Sequence, residues 1–144
     1  MPRKILVIED DAQIARALQI RLRAAGYEPI LASDGFDGFW AAHLHRPDVI
    51  LLDIVLPGMD GFEVKRRLAA SSELSDVPVV FLTSDAREET RMKARAAGGM
   101  CFLSKPYDAN LLLAAVKTVI TTVGKNRPRP NRKRPREFAE LSRT

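Results

Sequence analysis

The chain has 144 residues, a single cysteine and 46% hydrophobic residues. That is enough for one domain with a real core, and it excludes a disulfide framework or a wholly disordered chain. The net charge of +5 is unevenly placed: residues 1–124 hold 15 Lys/Arg against 16 Asp/Glu, and residues 125–144 hold 8 against 2.

Strand 1 is expected at Lys4–Ile8, where Ile5-Leu6-Val7-Ile8 runs into Glu9-Asp10-Asp11. Helix 1 follows from Ala12 to Ala25, with Ile14, Ala15, Leu18 and Leu22 at helical spacing and a stop at Gly26. A short strand is expected at Glu28–Ala32, then helix 2 from Gly35 to His45, ending before Pro47. Strand 3 is Val49–Leu52 and closes on Asp53, before the turn Pro57-Gly58-Met59-Asp60-Gly61. Helix 3 starts near Gly61 with Val64 and Leu68 inward, and strand 4 is expected at Val77–Leu82, before Thr83. Helix 4 is Arg87–Ala97, strand 5 is Met100–Leu103 before Lys105, and helix 5 is Ala109–Val123.

Five strands alternating with five helices imply an α/β fold with a parallel sheet covered on both faces. Right-handed crossovers bring the carboxyl ends of all strands to one edge. An acid cluster, a single acid, a hydroxyl and an amine therefore meet there. Two unit charges about 4 Å apart cost ~4 kcal/mol at an effective dielectric of 20, so Glu9, Asp10 and Asp53 together call for a cation or a proton. Oxygen ligands alone favour Mg²⁺. Asp11 reads first as the cap of helix 1 and second as a further ligand. His43 and His45 lie away from this edge and read as solvated, Cys101 reads as a small buried strand residue, and Trp40 reads first as packed against the sheet and second as an exposed partner contact.

These residues carry a family likeness. Glu9-Asp10, Asp53, Thr83-Ser84 and Lys105-Pro106, with Asp53-Ile54-Val55-Leu56-Pro57-Gly58-Met59-Asp60-Gly61 and Gly98-Gly99 in register, resemble the receiver domain of bacterial two-component response regulators. The likeness covers about residues 3–123. It implies a flavodoxin-like, doubly wound sheet in the order 2-1-3-4-5. It also implies Asp53 as phosphoacceptor, with Mg²⁺ held by Asp10, Asp53, the Val55 backbone carbonyl and, through water, Glu9. By the same resemblance Lys105 would contact the phosphoryl oxygens and Thr83, beside Ser84, would sense them. Phe102 would rotate in response, and the Lys105–Pro106 bond would be cis. Phosphoryl groups would come from a sensor histidine kinase or a histidine phosphotransfer protein. Output would pass to another protein through the helix 4, strand 5 and helix 5 face; a homodimer is a further candidate partner, and the sequence leaves open whether the active form dimerises. Slow self-phosphorylation from small donors and slow dephosphorylation would not make the chain a conventional enzyme.

Two enzyme-like readings fit less well. A phosphatase of the haloacid dehalogenase type needs a second Asp two residues after its nucleophile, where this chain has Val55. A flavodoxin needs a Ser/Thr/Gly-rich phosphate loop after strand 1, where this chain has three acids.

Residues 1–124 thus form the expected receiver. Residues 125–144, rich in Pro and Arg, read as a disordered basic tail. So short a segment suggests a stand-alone receiver in the cytoplasm, with no signal peptide and no membrane insertion. The tail could instead hold nucleic acid or an acidic surface, or the chain could be the receiver piece of a longer transcriptional regulator.

Overall fold

The structure is a computed structural model that describes residues 2–85, 87–105 and 108–126. Its elements run β1 (Lys4–Ile8), α1 (Ala12–Ala24), β2 (Glu28–Ala32), α2 (Gly35–His45), β3 (Val49–Asp53), α3 (Gly61–Ala69), β4 (Val79–Thr83), α4 (Glu88–Ala96), β5 (Cys101–Ser104) and α5 (Ala109–Asn126). All four strand pairings are parallel, and the sheet order is β2-β1-β3-β4-β5. The expected fold class is therefore the one found.

Alternation along the strands divides the core in two. Leu6, Ile8, Ile50, Leu52, Val79 and Phe81 face α2, α3 and α4, where they meet Ala42, Val64, Leu68 and Ala94. Ile5, Val7, Val49, Leu51, Val80 and Leu82 face α1 and α5, where they meet Leu18, Leu22, Leu112 and Val116. Burial on both faces explains why β1 and β3 are apolar throughout. Each such side chain contributes roughly 1.5–3 kcal/mol by leaving water.

Several boundaries differ from the sequence reading. β4 starts at Val79, two residues later than expected, because Pro78 has no N–H to give the ladder and the Val77 N–H closes a turn on the Leu74 carbonyl at 3.1 Å. It then continues through Thr83, which pairs with Ser104. α1 ends at Ala24, one residue before the expected Ala25, and stops at Gly26 as expected: Gly26 takes a φ of 94°, and the Tyr27 N–H returns to the Leu22 carbonyl at 3.0 Å. α5 runs on to Asn126, past the expected end at Val123. Pro106 and the rest of the basic segment, 127–144, lie outside the described residues. Among the described residues no helix is long and apolar enough to cross a membrane.

Trp40 corrects an expectation. It does not pack on the sheet but stands exposed. The sheet-facing side of α2 is Gly35, Gly38 and Ala42. A Cβ on Gly38 would come within 2.8 Å of Ile8 Cγ1. So close an approach selects small residues on one side and turns position 40 to the other, since residues two apart on a helix point apart.

Gly61 fixes the site loop. Its N–H donates to the Ile54 carbonyl at 2.8 Å, and a Cβ there would collide with the Asp53 carbonyl and sit 2.8 Å from Ile54 Cα. Those are backbone atoms that cannot swing aside. Gly61→Ala is expected to cost about 1–3 kcal/mol of stability by overpacking. Chemical denaturation reads this directly, and an unchanged midpoint would contradict the contact.

Candidate functional site

The carboxyl edge of the sheet gathers Glu9 and Asp10 after β1, Asp53 at the end of β3, Thr83 at the end of β4 and Lys105 after β5. Carboxylate oxygens of Glu9, Asp10 and Asp53 all lie within 4.8 Å of one another. Glu9 and Asp53 are buried and Asp10 is exposed, so the cluster is deep at one end and open to water at the other.

Lys105 reaches into its buried end. Nζ stands 2.7 Å from Glu9 Oε1 and 2.9 Å from Asp53 Oδ2. The remaining oxygens take backbone donors. The Val55 N–H donates to Asp53 Oδ1 at 3.2 Å, and the Asp11 N–H donates to Glu9 Oε2 at 3.1 Å. The Lys105 N–H in turn donates to the Thr83 carbonyl at 2.6 Å, tying the ends of β4 and β5 together.

Burial pushes the Glu9 carboxyl above its ordinary value, against the pull of the Lys105 amine and the Asp11 amide, while the Asp53 charge pushes the same way as burial. Burial alone would lower the Lys105 amine. The carboxylates of Glu9 and Asp53 outweigh it, so the amine is held above its ordinary value. One lysine cation thus serves two buried acids, and Asp10 adds a third negative group.

Asp11 does not join the cluster. Its carboxylate caps α1, accepting from the Gln13 N–H at 2.9 Å and the Ile14 N–H at 3.2 Å. Its expected second role as a ligand is therefore set aside. Val55 is exposed, with its amide turned to Asp53. Thr83 is buried and Ser84 is exposed. Phe102 pairs with Phe81 in the sheet and packs against the α2/α3/α4 side of the core. Phe81 and Thr83 are two apart on β4, so Thr83 and Phe102 share a sheet face as diagonal neighbours. The Arg91 guanidinium covers the Phe102 ring, 5.0 Å from its centroid. His43, on α2, lies with Nδ1 3.3 Å from the Phe39 carbonyl, and Cys101 is a half-buried free thiol in β5.

The sequence reading missed Asp85. Its N–H donates to Thr83 Oγ1 at 3.1 Å. Its carboxylate accepts from the Arg87 guanidinium at 2.9 and 2.8 Å and from the Thr90 hydroxyl at 2.8 Å. The residue thus clamps the first turn of α4 to the end of β4. An Asp just ahead of a helix start was the available signal.

Hydrogen bonds from Arg87 and Thr90 hold the Asp85 carboxyl well below the usual carboxylate range. The sign follows: the clamp's contribution is present above the ordinary Asp value of 3.8 and is lost as pH falls through the lower folded value. Asp85→Asn is therefore expected to speed amide exchange in the first turn of α4 severalfold at neutral pH. Unchanged exchange there would remove the clamp.

A response regulator receiver domain is matched over residues 5–117. The DNA-binding dual master transcriptional regulator RpaA of Synechocystis sp. is 38% identical over 120 residues, which are 83% of this chain and 49% of that protein. Protein PilH of Pseudomonas aeruginosa is 32% identical over 117 residues, 81% of this chain and 97% of PilH. The chain thus spans about half the length of the transcriptional regulator and nearly all of PilH. Among solved structures, the chemotaxis protein CheY4 of Vibrio cholerae superposes with a TM-score of 0.79 at 30% identity, covering 83% of this chain and 99% of CheY4. The receiver domain of the sensor histidine kinase PA1611 of P. aeruginosa, solved with a magnesium ion in its active site cleft, gives 0.78 at 30% identity, covering 84% and 99%. The chain therefore belongs to the response regulator receiver domains of two-component systems, a family of signalling switches.

Proposed function

We propose that the chain accepts a phosphoryl group on Asp53 and signals through the altered surface that results. The observation that carries this reading is the arrangement around that carboxylate. It is buried at a strand end, ion-paired to Lys105, and within 4.8 Å of two further acids.

The acids fit a magnesium ion. Glu9, Asp10 and Asp53 offer only oxygen, and the exposed Asp10 leaves room for the waters that this small cation retains. Bound there, it would supply positive charge to the phosphoryl oxygens during transfer. Asp10 and Asp53 would hold it directly, with the Val55 carbonyl, and Glu9 through water.

The chain's own residues account for the remaining steps. An Asp53 oxygen attacks phosphorus, the new O–P bond forms, and the bond from phosphorus to the donor's histidine nitrogen breaks. Lys105 has three N–H donors; one goes to Asp53 and the amine is ion-paired with Glu9, which leaves it able to donate to a phosphoryl oxygen as well. Thr83 Oγ1 already accepts from the Asp85 N–H, so its own hydrogen is free to donate to the new group. Movement of Thr83 would free space on the face it shares with Phe102. Inward rotation of that ring would break its contact with Arg91 and alter the α4–β5 surface.

Acetyl phosphate tests the reading without a kinase. With Mg²⁺ present, intact mass should rise by one phosphoryl group per chain, and amide exchange should change in α4 and β5. Labelling that leaves exchange there unaltered would describe a passive carrier of phosphate.

A second reading of the output rests on the charge of residues 125–144, 8 Lys/Arg against 2 Asp/Glu, and on the DNA-binding description of RpaA. On it, the receiver acts on nucleic acid, through the basic segment or through a longer chain. Removing residues 127–144 should then abolish salt-sensitive nucleic-acid binding. Binding that survives the removal would exclude the segment.

A further inference from the structure

Helix α2 exposes an apolar stripe that the phosphoacceptor edge does not use. Phe36, Trp40 and Leu44 are 53%, 65% and 77% exposed, and residues four apart lie along one side of a helix. The stripe is braced from within: Phe39 stands edge-on to both Trp40 and His43, with centroids 5.7 and 4.7 Å apart. A contiguous exposed patch of large apolar side chains marks an interaction surface.

Two properties of the stripe indicate what covers it. First, it is symmetric about Trp40, with one large side chain four residues to either side. Second, the charge reverses along the same helix: Asp34 and Asp37 stand at its start, and His43, His45 and Arg46 at its end. An antiparallel copy of α2 would set Phe36 of one chain against Leu44 of the other and Trp40 against Trp40. It would also bring the exposed Asp37 of each chain towards the basic end of the other. Arg46 already shares its charge with Glu73 at 2.7 Å, so its part in that complement is partial and the apolar match carries most of the pairing. A surface that matches itself in both shape and charge under a two-fold rotation is the mark of an isologous contact.

We propose that α2 is a self-association surface, through which two copies of this chain pair antiparallel about Trp40. The three side chains offer on the order of 400 Å² per copy. A pair then removes on the order of 800 Å², with flanking residues in addition, below the roughly 1,200 Å² at which stable specific interfaces begin and in the size range of transient contacts. The dimer is accordingly weak and reversible. A lipid surface fits less well, because the apolar stripe begins between two acids. The Phe36 end borders the loop after Asp53, where a Cβ on Gly58 would stand 3.3 Å from the ring. The proposal does not depend on the phosphoacceptor reading.

Trp40 is the only tryptophan in the chain, so its emission reports directly on this surface. The full chain should be followed by sedimentation velocity and by tryptophan emission from about 10 μM to about 1 mM, a range that brackets weak association. The expected result is a weight-average mass that climbs from 16.0 kDa towards twice that value, with a blue shift in step. Leu44→Glu replaces an exposed residue, so the variant should keep its circular dichroism while its dissociation constant rises about tenfold or more. Three results would each overturn the proposal: a mass fixed at that of one chain throughout, Leu44→Glu associating as the wild type does, or a blue shift that occurs only with anionic vesicles.

Discussion

Asp53→Asn is expected to abolish phosphoryl uptake from acetyl phosphate, by at least about a thousandfold in rate. The reason is local. Asparagine keeps the size of the side chain but removes the anionic oxygen that forms the bond to phosphorus. It also disturbs the present hydrogen bonds. Asp53 accepts from Lys105 on one oxygen and from the Val55 N–H on the other. An amide can satisfy only one of these with its oxygen, leaving its NH₂ facing a second donor. Stability should therefore shift only modestly, while labelling disappears. Intact-mass measurement on the folded variant decides the matter, and equal labelling of both proteins would move the phosphoacceptor elsewhere.

Lys105→Met should have the largest effect on stability at neutral pH. Glu9 and Asp53 are buried, and the lysine is the cation paired with both. Removing one partner from a buried ion pair typically costs about 3–5 kcal/mol, and the lower end applies where the site opens to water at Asp10. The pH dependence gives the signature. Without the amine, the Glu9 carboxyl loses the pull that opposed burial and titrates still further above its ordinary value. The folded form then holds a proton that the unfolded chain has released, so the variant gains stability as pH falls towards the ordinary Glu value of 4.5. The wild type behaves differently at the other end of the scale. The raised Lys105 contributes stability that is fully present below 10.5 and is lost as pH rises through its folded value. Urea denaturation at pH 5.5 and 7.5 tests both proteins. Millimolar Mg²⁺ should recover part of the loss at pH 7.5 by binding only the folded form. A variant as stable as wild type at pH 7.5 would mean that the lysine does not neutralise the two acids.

Much of this was legible in the chain because strands buried on both faces leave no ambiguity. Ile5–Ile8 and Val49–Leu52 could be little else, and each points its following acid to the same edge. The resemblance added the strand order, which alternation alone does not specify. Where the reading slipped, a packing distance or a local bond decided. Trp40 was read first as packed on the sheet, but Gly38 against Ile8 sets how closely α2 approaches the sheet and therefore which side faces it, which leaves the exposed alternative. Asp11 follows two acids of the cluster, yet the free N–H groups of α1 claim its carboxylate. Asp85 was passed over. Its ties to Thr83, Arg87 and Thr90 depend on turn geometry that residue spacing does not encode. The sharing of one lysine between Glu9 and Asp53 was likewise invisible without coordinates.

The bond from the Lys105 amide to the Thr83 carbonyl limits how this edge can change over time. It locks the last rung between β4 and β5, so the amine and the hydroxyl keep their spacing only while the two strands keep their alignment. Inserting or deleting one residue between Gly99 and Lys105 would slide β5 by one step and turn every side chain on it to the opposite face. Cys101 and Phe102 would trade sides, and the lysine would swing away from its carboxylates. Descendants of this sequence can therefore vary the identities of residues 100–104 far more readily than their number.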